Sequence, residues 1–335
     1  MTSKNTRLIM VGVGAVGGSL AAELALAGLD VIVVARGDHY QRIQERGLHY
    51  LTPHREQSVS LTSVENICDL TLTEDDAVVL ATKIADVAQA AEEIAKLNAT
   101  LPVLCLQNGV AGEHIAAQHL EQVYAGMVYI SSTYLEAGRV ENYSSNAPGA
   151  LCIGPHKNGT KQGAEGLAET FARAGFNATA CDDVMPWKYG KLLTNLTNAL
   201  EACCSDIENT EDLNAAAIAE GETCYRAAGI TYLTADELVE DAAIETGTIA
   251  GKHRPGGSMW QSVARGRPPE VDYLNGEIAR LGRAHGVPTP INSMLVAVMH
   301  QSVRDGILWT SAGLRARMKL AERLPPQGEV HDRRV

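Results

Sequence analysis

Two groups of residues in this 335-residue chain have types and spacings suited to chemistry. The first is Gly12-Val13-Gly14-Ala15-Val16-Gly17, a G-x-G-x-x-G run that directly follows a short apolar stretch. In such a run the first glycine permits a tight turn, the second lets a pyrophosphate approach the backbone, and the third lets a helix lie close on its strand. The second group is Lys191, Asn195 and Asn198, whose i, i+4, i+7 spacing puts them on one face of a helix read over residues 185–203. A lysine and two amides on a mostly apolar helix need partners or water, so they could line a polar cleft. The alternative is a solvated outer face, which would ordinarily carry several Glu and Lys.

Further candidates stand at the ends of apolar runs. Arg36 follows Val31–Ala35, where many NAD-binding proteins place an acid on the ribose 2′-hydroxyl. An arginine there can instead bind a 2′-phosphate bidentately, which favours NADPH over NADH; the alternative is a solvated loop arginine. Lys83 ends the run at 78–81 and could join Arg36 near the adenosine phosphate. Asn108 ends the run at 103–106 and could serve the nicotinamide end, although Asn108-Gly109 is also a common turn signal. Ser258 lies at or near a helix start, and Glu270 lies in a first helical turn, where the helix dipole alone would favour a carboxylate.

The frame that must position these residues follows from periodicity. Residues 7–11, helix-forming residues 19–27 and the run 31–35 make a strand, helix, strand unit, and the runs at 78–81 and 103–106 extend a parallel sheet. Residues 47–61 read as a short irregular or hairpin insertion, and the short strands at 128–130, 138–141 and 150–153 are expected to add antiparallel strands to the sheet's far edge. A helix at 162–174 and a strand at 176–181 finish this part. After Asp182-Asp183 the pattern is almost entirely helical, with helices over 185–203, 210–228 and 234–251. A further helix opens at Pro268-Pro269-Glu270, buries Val271, Leu274, Ile278 and Leu281, and carries Gly276 in its middle, which suggests close packing against a neighbour. The predicted fold class is therefore α/β: an N-terminal Rossmann-type dinucleotide-binding domain, residues 1–182, followed by an all-helical C-terminal domain, residues 183–335. The tail from Arg323 to Val335, with Pro325-Pro326 and mixed charges, is expected to fray.

Composition narrows the partners. With 28 basic and 40 acidic residues the net charge is −12, and no basic block is long enough to follow a phosphate backbone, so nucleic acid is not an expected partner. No apolar run reaches the ~20 residues of a membrane span, and Met1–Thr6 pass directly into the first strand, so no membrane association and a cytoplasmic location are expected. The seven cysteines show no C-x-x-C spacing, which points to reduced buried thiols rather than a metal site or a disulfide framework.

Taken together, the pattern from about Leu8 to Met299 resembles the ketopantoate reductase (2-dehydropantoate 2-reductase) family. The likeness is carried, in order, by Gly12–Gly17, Arg36, Thr82-Lys83, Gln107-Asn108-Gly109, Lys191-Leu-Leu-Thr-Asn195, Ser258-Met259, Glu270–Gly276 and Ala284–Pro288. The resemblance implies NADPH and a small-molecule 2-keto acid held between two domains, the pyrophosphate on Gly12–Gly17, and Arg36 and Lys83 at the 2′-phosphate. It implies Asn108 at both cofactor and substrate, Lys191 as proton donor, Asn195 and Ser258 as substrate ligands, and Glu270 beside the nicotinamide ribose and the lysine. A homodimer is also implied. Two departures touch the acid pocket: Ala199 stands where the family often has a second asparagine, leaving Asn198 as the nearest amide, and Gly256-Gly257 replace bulkier residues before the serine. An enzyme of the same fold acting on another branched or aromatic 2-keto acid, a D-2-hydroxy acid dehydrogenase, is the nearest alternative. A non-catalytic NADPH-binding regulator is a more distant one.

Overall fold

The structure, a computed structural model, describes residues 6–323. The expectation for the tail beyond Arg323 lies outside the described residues.

Strand β1 (Arg7–Val11) leads through the glycine turn into helix α1 (Ala15–Leu26) and strand β2 (Val31–Val34), as the strand, turn, helix order requires. Helix α2 (Gly37–Arg46) and strands β3 (Leu48–Leu51), β4 (Glu56–Val59) and β5 (Thr62–Val64) follow. Strand β6 (Asp76–Leu80), helix α3 (Val87–Asn98), strand β7 (Pro102–Cys105), the short helix α4 (Gly112–Ala116) and strand β8 (Gln122–Tyr129) continue the winding. Strands β9 (Ser132–Thr133), β10 (Arg139–Asn142) and β11 (Ala150–Lys157), helix α5 (Lys161–Arg173) and strand β12 (Asn177–Ala180) complete it. Eight strands form one sheet in the order β12-β11-β8-β7-β6-β1-β2-β5. The six strands from β8 to β5 run parallel, whereas β11 pairs antiparallel with β8 and carries β12 parallel to itself. Continuous buried runs such as Ile9, Met10, Val33, Val78, Val79, Val103 and Leu104 suit strands covered on both faces.

The far edge of this sheet differs from expectation. β10 does not join it; β10 pairs with β3 and β9 in a second, four-stranded sheet, order β4-β3-β10-β9, so the insertion at 47–61 supplies half of a separate layer. Helix α1 lies between the two sheets, which explains why Gly17 through Leu24 are all buried. A Cβ on Gly18 would come within 2.8 Å of Val140 on β10. The layer is joined to α1 by a buried polar chain: the Tyr50 hydroxyl donates to Glu23 (2.8 Å), accepts from Asn142 (3.1 Å), and Arg55 pairs with Glu23.

Beyond β12 the described chain is helical: α6 (Met185–Asn195), α7 (Asn198–Cys203), α8 (Glu211–Ala228), α9 (Ala235–Ala242), α10 (Ser258–Ala264), α11 (Asn275–His285), α12 (Pro290–Asp305) and α13 (Ser311–Arg323). Their core gathers Leu192, Leu196, Leu200, Leu213, Tyr225, Ile278, Leu295 and Val298. Three expectations are corrected. The helix read over 185–203 breaks at Leu196-Thr197. There Asn275 Nδ2 takes the Leu196 carbonyl (3.2 Å), and the hydroxyls of Thr194 and Thr197 take the carbonyls of Lys191 and Thr194. The helix read over 234–251 ends at Ala242, and Ala243 turns left-handed (φ 49°). Residues 244–257 then form an extended strap anchored on the sheet domain through Ser145 N to Glu245 O (2.9 Å) and Gly247 N to Tyr143 O (2.7 Å). Finally, the helix expected at Pro268 starts only at Asn275, after a single 3-10 turn at Val271–Tyr273. Gly276 is thus near a helix start, where an added Cβ would meet nothing closer than 3.5 Å. Close helix packing requires Gly221 instead, whose Cβ would lie 2.5 Å from Leu193.

Candidate active site

The carboxyl ends of β1, β2, β6, β7 and β8 open at one rim, and strand order reverses between β1 and β6, where an open parallel sheet leaves its ligand crevice. At the β1 end Gly12 has φ +96°, and a Cβ there would lie 2.8 Å from Thr82 N. A Cβ on Gly17 would lie 1.9 Å from Gly12 O, so the turn closes only with glycine at both positions. Gly14 differs: its outward side meets only Tyr134, at 3.8 Å. It is the N-cap of α1, no side chain caps that end, and no acidic residue stands in the first turn. Its free N–H groups and partial positive charge suit an anion. His39 holds the turn in shape. Its Nδ1 accepts from Gly138 N (2.8 Å), so Nε2 donates to Val13 O (2.7 Å). Burial pushes its basicity below the usual imidazole range. The ring of Tyr134, stacked on His39, carries the Arg265 guanidinium 3.9 Å from its centroid, which brings a helical-domain cation beside the glycine turn.

Arg36 ends β2 with 60% of its side chain exposed, 3.8 Å from Glu93, while Glu65 accepts from Gly37 N (3.1 Å). Lys83, at the end of β6, does not stand free beside it. Its Nζ pairs with Glu270 at 2.6 Å, and the second Glu270 oxygen accepts from Ile84 N at 3.0 Å. The Glu270 side chain therefore makes no capping bond to its own 3-10 turn and no hydrogen bond or ion pair with Lys191. An ammonium and a backbone N–H across the crevice take its carboxylate, which ties the helical domain to the sheet. Asn108 lies half-buried in the turn after β7, where Gly109 (φ +76°) has room for no Cβ beside Tyr273 O (2.8 Å).

Helix α6 crosses the ends of β7 and β8 and brings two lysines one turn apart. Lys188 is dry: its Nζ pairs with the buried Glu113 of α4 at 2.7 Å and donates to Gln107 O at 3.2 Å. Lys191 has no carboxylate partner among the described residues; its enclosed ammonium donates to the Val128 carbonyl near the end of β8. Burial first, then the charges of Lys188 and Arg254, lower its pKa to about 7. Three strand spacings separate the β8 end from the glycine turn, about 14 Å, the scale of an extended dinucleotide half.

Asn195 and Asn198 share this end of the crevice, with Asn198 Nδ2 3.4 Å from Asn195 Oδ1, and Asn195 Nδ2 is buried without a partner. Thr82 Oγ1 and Arg254 Nε are likewise buried and unpartnered. Ser258 opens α10, and the preceding Gly257 donates to Glu201 Oε1 (2.9 Å). A Cβ on Gly257 would lie 2.2 Å from the other Glu201 oxygen, so a larger residue there would have to displace that carboxylate. Sequence reasoning did not single out His39, Lys188, Arg254 or Arg265. The available signals were a lone lysine one turn before Lys191 and a basic residue in the turn ahead of Ser258.

A nucleotide-binding sheet rim faced by a helix that carries a half-buried lysine with no carboxylate partner among the described residues defines a two-domain oxidoreductase. Residues 8–158 match the family model described as ketopantoate reductase PanE/ApbA, and residues 183–303 match the model of its C-terminal part. The chain belongs to the ketopantoate reductase family. Its relatives include the 2-dehydropantoate 2-reductase of Archaeoglobus fulgidus, 28% identical over 306 residues, covering 90% of this chain and 99% of the relative. That of Mesorhizobium japonicum is 29% identical, with 90% and 99% covered. The crystal structure of a PanE/ApbA family ketopantoate reductase from Ralstonia eutropha superimposes with a TM-score of 0.74 at 29% identity, covering 89% of this chain and 99% of that one. Membership carries oxidoreductase chemistry on a CH–OH group and, as substrate class, a 2-keto acid. No helix among the described residues is long and apolar enough to cross a membrane.

Proposed function

We propose that the chain reduces a 2-keto acid to its 2-hydroxy acid with NADPH, ketopantoate to pantoate being the first substrate to test, and that Lys191 is the proton donor. The observation that carries this reading is the enclosed ammonium at the β8 end, with no carboxylate partner and a pKa lowered to about 7.

The residues fit the cofactor. Gly12 and Gly17 make a turn no larger residue could close, Gly14 leaves its outward side open, and the uncapped N-terminus of α1 offers N–H donors to a pyrophosphate. Arg36 would meet the 2′-phosphate; Lys83, engaged with Glu270, would hold the cover over the crevice instead. When bound, the reduced nicotinamide supplies the hydride. Lys191 would then give a proton to the carbonyl oxygen as negative charge builds there, with Val128 O keeping the ammonium aimed. Asn108, Asn195, Asn198 and Ser258 would orient the substrate, and the unpartnered Asn195 Nδ2 is a donor that a bound carbonyl or hydroxyl oxygen would satisfy. Glu270 would fix the nicotinamide-side wall through Lys83 and Ile84.

The test is NADPH consumption with ketopantoate beside a panel of 2-keto acids. Consumption with at least one of them and much slower consumption with the matching 2-keto amides supports the reading; no consumption with any 2-keto acid overturns it. A second reading, the same reaction on another branched or aromatic 2-keto acid, is favoured by Ala199 and by the turning of Asn198 towards Asn195. A larger kcat/KM on such an acid than on ketopantoate would select it.

A further inference from the structure

The residue that neither the glycine turn nor the proton donor accounts for is Arg254. It lies on the extended strap between α9 and α10, which is pinned to the sheet domain at Glu245 and Gly247 and to α7 through Gly257 and Glu201. With both ends held, its position is set by backbone hydrogen bonds. Arg254 Nε is buried with no hydrogen-bond partner, and among the described residues the guanidinium makes no ion pair. The charges within electrostatic reach of it are Glu201, Tyr129 and Tyr143 on the attractive side and Lys191 on the repulsive side. Glu201 is itself engaged, one oxygen accepting from Gly257 N and the other packed against the same glycine. Two cations thus come within electrostatic reach of each other near the β8 end, and neither makes an ion pair among the described residues. Leaving the buried Nε donor unpaired disfavours the free protein, and a fork of parallel N–H donors matches a carboxylate better than any neutral group.

We propose that Arg254 binds the carboxylate of the 2-keto acid, so that the substrate is held between the guanidinium on its acid group and the Lys191 ammonium on its keto oxygen. In a 2-keto acid those two groups sit on adjacent carbons, so neighbouring cations can engage both at once. The inference rests on the reaction proposed above and adds the element that makes the site choose acids over neutral ketones. The strap, which lies outside the nucleotide crevice, then serves as the specificity segment.

Oxamate, a non-reducible isostere of a small 2-keto acid, tests the contact without turnover. Titrated calorimetrically into the unaltered protein with NADPH present, it is expected to bind. Arg254→Met should weaken it roughly 30-fold or more and Arg254→Lys less, with NADPH affinity unchanged within about threefold. Steady-state rates should agree: Arg254→Met should lower kcat/KM on the best 2-keto acid about 100-fold and change the rate on the matching keto amide far less. No oxamate binding by the unaltered protein, equal affinity in Arg254→Met, or equal losses on acid and amide would each overturn the proposal. If oxamate binds and Arg254→Met abolishes binding, yet no 2-keto acid consumes NADPH, the carboxylate contact stands and the proposed reaction falls.

Discussion

The two ends of the crevice handle charge in opposite ways. At the β6 and β7 ends two lysines at the interface are each neutralised by a carboxylate from the other domain, Lys83 by Glu270 and Lys188 by Glu113. At the β8 end Lys191 and Arg254 are gathered within electrostatic reach of each other and neither has an ion-pair partner among the described residues. Paired charges fasten the two domains together. Unpaired ones, held in place by backbone bonds and partial burial, are where a ligand's charge would complete the structure.

Lys191→Ala breaks the comparison at its reactive end. Turnover should fall ~10²–10⁴-fold with NADPH affinity little changed; near-normal turnover would remove the proton-donor role. At the fastening end, Lys188→Met leaves Glu113 buried and uncompensated, which should cost about 3–5 kcal/mol of stability in urea unfolding. The double variant with Glu113→Leu should recover most of that loss, and a single variant as stable as the parent would show that the pair fastens nothing. Arg36→Ala, measured by fluorescence titration, should weaken NADPH by roughly 10- to 100-fold while leaving NADH nearly unaffected. With Glu65 and Glu93 on either side of Arg36, equal losses for both cofactors would count against a phosphate contact.

The pH profile sharpens the contrast. Because the folded protein lowers the Lys191 pKa to about 7, the ammonium needed for reduction dominates only below that value. Reductive kcat/KM should therefore fall about tenfold per pH unit above neutrality, and a flat profile to pH 9 would exclude Lys191 as the titrating donor. The smallest effect belongs to Glu270→Gln. Lys83 is 42% exposed, so its pair with Glu270 should contribute no more than about 1 kcal/mol to stability. A loss of turnover comparable to that of Lys191→Ala would place Glu270 in the chemistry.

Much of the nucleotide half was legible because its constraints are local. Gly12 and Gly17 are needed by contacts within a few residues or with the adjacent strand, and the spacing of the glycines records this. The second sheet was not legible, since β3 and β10 are about ninety residues apart in the chain and neither strand's alternation names its partner. The break at Leu196-Thr197 escaped for a related reason: Leu192, Leu196 and Leu200 keep a helical stripe across it, while the Asn275 amide that takes the Leu196 carbonyl comes from 79 residues away. Lys191, Asn195 and Asn198 could be grouped from spacing alone, but the partner of Glu270 could not, because two lysines stood within the family's reach and only the folded chain separates them.

The buried pair of Lys188 also bears on how the crevice can open. Since Lys188 is one helical turn from Lys191 and is bonded to both Glu113 and Gln107, the front of α6 moves as part of the sheet domain. Prising that helix away to admit substrate would strip two dry charges of each other. Peeling the 244–257 strap would break backbone and side-chain hydrogen bonds that water can replace and expose Ile249, but it would separate no buried ion pair among the described residues. The arginine proposed to hold the acid group therefore sits on the leaf of the door and the lysine proposed as proton donor on its frame.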